Sequence, residues 1–116
     1  MPDPSALTAL AARLHAASGY EPIEPLHNHI NSMSQAYDIQ SINRQRWIGA
    51  GREQSGYKVA FTTLESQQLF GTSEPVYGTL FKDMQFPSGS TIPPGRLAKP
   101  KLEGEIVMEL SRDLPG

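Results

Sequence analysis

Apolar positions along the first third of the chain recur at helical spacing. Leu7, Leu10, Ala11 and Leu14 fall on one face of a helix that Asp3 can cap, with Pro4 as its first residue, before Gly19. Residues 19–31 hold two prolines and a glycine and read as a loop. From about Ser32 to Ala50 the spacing predicts a longer amphipathic helix ended by Gly49 and Gly51. Its apolar face carries Met33, Ala36, Tyr37, Gln40, Trp47 and Ile48, with Ile39 near the edge and Ile42 as the exception. After Gly56 the period changes. Tyr57 to Thr62 alternates and is rich in aromatic and β-branched residues, which predicts a strand. Thr63 to Phe70 suits a short helix closed by Gly71, and β-like pieces follow near 76–81 and 84–92, punctuated by Gly and Pro. Leu102 to Leu110 alternates again and predicts a last strand, with Leu102, Gly104, Ile106, Met108 and Leu110 on one face and Glu103, Glu105, Val107 and Glu109 on the other. Helices first and β-structure second predict an α+β fold, a helical part over 1–52 and a β-rich part over 53–116 within one unit.

The 116 residues suffice for one domain with a core and not for two. Ten basic against twelve acidic residues give a net charge of −2 without a block of either sign, so neither a nucleic acid nor an anionic membrane is the expected partner. The absence of cysteine excludes a disulfide framework, a thiolate metal site and a cysteine nucleophile. An acidic N-terminus and the lack of a long apolar run give a cytoplasmic protein as the expectation.

Glu103 and Glu105 flank Gly104, and on a strand both carboxylates would point to one side with Cα atoms about 7 Å apart. Such a pair converges readily on one hard cation, Mg²⁺ or Mn²⁺; the competing reading is a solvated acidic face. Lys58 sits mid-strand, where lysine is not preferred, and suits either an anion-holding cation or a proton donor whose pKa partial burial would lower; an ordinary solvent-facing lysine is the alternative. His27-Asn28-His29 has the spacing of two metal ligands on a strand, yet lies in a Pro-bounded loop and reads as unassigned loop histidines. Tyr37 and Trp47 read as core. Arg44, Arg46 and Arg52 read as solvated charges complementing the end of the second helix.

Taken in order, five stretches resemble the 2-keto-4-pentenoate hydratase family of the fumarylacetoacetate hydrolase superfamily. They are Ala36-Tyr37-Asp38-Ile39-Gln40, Gly56-Tyr57-Lys58-Val59, Pro75 to Met84, Pro100 to Ile106 and Arg112-Asp113-Leu114-Pro115-Gly116. The resemblance implies a cytoplasmic, divalent-metal-dependent lyase of aromatic meta-cleavage catabolism that hydrates a small 2-hydroxy dienoic acid, and it leaves a homo-oligomer open. It further implies Glu103 and Glu105 as metal ligands, Lys58 as the active-site lysine and Leu80 as a substrate-pocket residue. Where the family has Gly-Leu after the lysine and valine, this chain has Ala60-Phe61. Family members run to roughly twice this length, as suits a larger single domain, so the sequence is expected to be an incomplete N-terminal half lacking the third metal ligand. A 2-oxo-3-hexenedioate decarboxylase of the same superfamily and a non-catalytic remnant are the alternatives.

Overall fold

In the computed structural model, residues 4–17 and 22–115 are described, and the proposed cap Asp3 lies outside them. Helix α1 spans Pro4–Ala16 and helix α2 spans Met33–Gly49, joined through a short 3-10 turn at His27–His29. The Ser32 hydroxyl caps α2 by accepting from the Gln35 N–H at 3.2 Å, while Gln35 Oε1 accepts from the Asn31 N–H at 2.8 Å. Gly51, at φ +91°, turns the chain out of the helix through a conformation that costs a side-chain-bearing residue.

Strand β1, Gln54–Ala60, pairs antiparallel with β2, Val76–Phe81, in a two-stranded sheet. Between them lies α3, Leu64–Phe70. Thr63 and Ser66 form a reciprocal capping box at its start, and Gly71 closes it in the left-handed conformation. Phe61 turns out of β1 at φ +57°, an uncommon value for a bulky residue; its ring stacks on Phe70 at 4.6 Å, and its carbonyl accepts from Gln67 Nε2 at 2.8 Å. A register irregularity between Gln54 and Gly56 leaves Lys58 opposite Gly78 and Gly56 opposite Leu80.

The helical core consists of Leu7, Leu10, Ala11, Leu26 and Ile39, with Ile30 and Ile42 against it. Ile39 and Ile42 therefore form the inner stripe of α2, whereas Met33 and Ile48, expected on that face, are exposed. The physical reason is that α2 has two partners. One stripe packs on α1, and a second, through Tyr37 and Gln40, meets the sheet, so no single apolar face dominates.

Phe81, at 1% exposure, anchors the sheet to the end of α2. Trp47 meets its ring edge-on at 5.7 Å and the Arg52 guanidinium lies over it at 4.2 Å. Arg52 in turn grips Asp83 with two hydrogen bonds of 2.6 and 2.7 Å. This corrects the reading of Arg52 as a solvated helix-end charge.

Beyond β2, the chain forms a 3-10 turn at Lys82–Met84, and neither 84–92 nor 102–110 is strand. At Pro87–Ser90 and Pro93–Arg96, glycines with φ +80° permit tight turns closed by backbone hydrogen bonds of 3.0 and 3.1 Å. The alternating segment 102–110 has no regular secondary structure and is exposed, and it joins neither strand of the sheet in a ladder. The arrangement is α+β with a minimal sheet. No helix of the described residues is long and apolar enough to cross a membrane.

Candidate functional site

The pleat of the hairpin separates two sets of side chains. Tyr57, Val59, Tyr77 and Thr79 belong to the face that meets α2: Tyr77 stacks on Tyr37 at 4.7 Å and its carbonyl accepts from Gln40 Nε2 at 3.1 Å. Lys58, Gly78 and Leu80 belong to the opposite face. Because Lys58 is paired with a glycine, no cross-strand side chain competes for the space beside it.

Over this second face runs the segment containing Glu103 and Glu105. Lys58 Nζ lies 3.1 Å from Glu103 Oε2 and 2.5 Å from Glu105 Oε1, so both carboxylates converge on one ammonium. The three heads cluster although 102–110 is not a strand. The Lys58 side chain is 44% exposed, which corrects the expectation of partial burial. The hydrogen bond that Lys58 donates to Glu105, followed by that to Glu103, raises its pKa above the ordinary 10.5, the opposite of what burial would do. Lys58 is accordingly a fixed cation.

The donor set can be tested against a hard divalent ion. Two carboxylates already aimed at one positive centre have the right chemistry, and Lys58 marks the position where charge is balanced. Among the described residues, no group of three His, Cys, Asp or Glu is gathered that could hold a metal ion. The two carboxylates alone supply too few ligands to fix such an ion, and both are engaged by Lys58. Asp83, an acid that could have completed it, is instead held by Arg52, whose hydrogen bonds lower its pKa below 3.8. His27 and His29 are exposed in their 3-10 turn, remote from any strand pairing that would align them.

Leu80 shares the Lys58 face and is 36% exposed. Sequence reasoning passed over two features. Arg52 and Asp83 lie 31 positions apart and had no local signal. The tyrosine pair Tyr57–Tyr77, edge-on at 5.6 Å, follows from register, which only the folded hairpin reveals.

No family model matches the chain. It is 46% identical over 96 residues to a 2-keto-4-pentenoate hydratase of Paraburkholderia xenovorans, covering 81% of this chain and 36% of that protein. It is 39% identical over 109 residues to 2-keto-4-pentenoate hydratase 2 of Dechloromonas aromatica, covering 91% and 42%. Among solved structures it is similar in fold to the 4-oxalocrotonate decarboxylase of Pseudomonas putida G7 complexed with calcium and acetate, with a TM-score of 0.67 at 24% identity over 72% of this chain and 33% of that one. The chain spans about two-fifths of the length of the curated relatives it matches.

Proposed function

We propose that this chain, a member of the 2-keto-4-pentenoate hydratase family over the part of the family's length that it spans, carries the lysine and two acidic ligands of a divalent-metal-dependent hydro-lyase. The reaction adds water to 2-hydroxypenta-2,4-dienoate to give 4-hydroxy-2-oxopentanoate. The dienol ketonises by gaining a proton at C5 and losing its hydroxyl proton; water oxygen then bonds to C4 and a proton to C3. One observation carries this reading: Lys58, Glu103 and Glu105 meet at one point on a sheet face that also holds Leu80.

In this reading Glu103 and Glu105 would hold Mg²⁺ or Mn²⁺, which when bound supplies Lewis-acid stabilisation to developing oxyanion charge. Lys58 Nζ, held between Glu103 and Glu105 and free of any cross-strand side chain at Gly78, holds the substrate carboxylate or moves a proton to the dienol carbon. Leu80 gives the hydrocarbon end of the dienoate an apolar contact. The site operates inside the cytoplasm on a small-molecule substrate.

The likeness to a solved decarboxylase supports a second reading, loss of CO₂ from 2-oxo-3-hexenedioate with the same residues stabilising the enolate left behind. Joining residues 1–115 in frame to the complementary C-terminal part of the Paraburkholderia xenovorans hydratase separates the two. Loss of dienoate absorbance that requires metal supports the hydratase. CO₂ release without hydration supports the decarboxylase, and silence from a folded, metal-loaded fusion supports a non-catalytic remnant.

A further inference from the structure

On the far side of the hairpin from Lys58, α2 and the sheet enclose a different cleft. Tyr37, Gln40, Ser41 and Arg44 recur at i, i+3, i+4 and i+7 and form one stripe of α2. With Tyr57, Tyr77 and Thr79 they line a hollow of about 160 Å³. Several polar groups there are already engaged. Gln40 Nε2 donates to the Tyr77 carbonyl at 3.1 Å, and the Tyr37 hydroxyl accepts from the Tyr77 N–H at 3.3 Å. The partly buried Arg44 differs, because among the described residues no hydrogen bond or ion pair reaches its guanidinium. A guanidinium taken partly out of water favours an anionic partner, and its planar fork matches a carboxylate.

Tyr57 and Tyr77 also line a second, apolar hollow of about 420 Å³ with Val59 and Pro75. The same two rings therefore border a cationic hollow and an apolar one. We infer that this side of the hairpin binds a small carboxylate with a flat apolar body, the carboxylate on Arg44 and the body against Tyr57, Tyr77, Val59 and Pro75. Inorganic phosphate would use Arg44 and leave the apolar hollow unfilled; a neutral flat molecule would do the reverse. The site lies on the opposite face from Lys58, Glu103 and Glu105, so it is independent of the hydratase reading.

The test is a titration of the intact chain with benzoate, benzamide and inorganic phosphate, followed by amide NMR shifts and calorimetry. Benzoate should shift residues 37–44, 57 and 77, and Arg44→Gln should weaken it at least about tenfold, equivalent to ~1.4 kcal/mol. Arg44→Lys, which keeps the charge without the fork, should fall between. Benzamide and phosphate should each bind at least about tenfold more weakly than benzoate. The inference is overturned if Arg44→Gln binds benzoate as the wild type does, if benzamide or phosphate equals benzoate, if the shifts gather around Lys58 and 102–106, or if about 10 mM benzoate produces none.

Discussion

Replacing Phe81 with alanine removes the side chain that seats the hairpin on α2. Phe81 is 1% exposed, touches Trp47 edge-on and lies beneath the Arg52 guanidinium, so its ring has partners on more than one side. Truncating a buried phenylalanine costs about 3–5 kcal/mol, from lost transfer energy and the cavity left behind. The Arg52 guanidinium over the ring is 24% exposed and already paired with Asp83, so its cation–π contact adds about 1 kcal/mol; the Arg52–Asp83 pair survives the substitution. The expected loss is about 4 kcal/mol, or roughly a 10–20 °C fall in Tm for a chain of this size. Urea unfolding followed by the fluorescence of Trp47, the sole tryptophan, reads the change where it occurs. Phe81→Leu should lose only about 1–2 kcal/mol, since it keeps most of the apolar volume. A loss below about 1 kcal/mol for Phe81→Ala would refute the claim that this ring holds sheet to helix.

Asp83 has a folded-state pKa below 3.8, so its stabilising contribution is fully present above that value and is lost as pH falls through 3.8 to the lower folded value; Asp83→Asn should remove this part of the acid dependence of Tm. Calorimetry of the chain with Mg²⁺ or Mn²⁺ should show little heat at sub-millimolar metal, because two carboxylates shared with a lysine leave too few oxygen ligands; tight binding would mean that another acid completes the site. In the fused enzyme, Lys58→Ala should lower turnover by about 10²–10⁴ if the lysine transfers a proton, and far less if it only neutralises substrate charge.

Local signals were sufficient wherever one element had one partner. The α1 stripe, the short helix after Phe61 with its Gly71 stop and the bounds of β2 follow from residues within a few positions of one another. The face of α2 was misjudged because the helix is shared between α1 and the hairpin, which mixes polar and apolar residues around it. Leu102 to Leu110 has the period of a strand, but alternation states only which faces a strand would have, and no described strand pairs with it. The site was legible as three residues with ordered spacing. Their convergence is a long-range contact, Glu105 lying 47 positions from Lys58, and no local signal states it.

The central claim is that Glu103, Glu105 and Lys58 form one cation-centred site. Mn²⁺ at millimolar concentration broadens nearby NMR signals even when binding is weak, so a Mn²⁺ titration of the intact chain reads the site directly. The account predicts broadening centred on residues 103–105 and on the Lys58 side chain, lost in the double variant Glu103→Gln, Glu105→Gln. Broadening centred instead on Asp83, Glu109 or Asp113, or unchanged in the double variant, would contradict it.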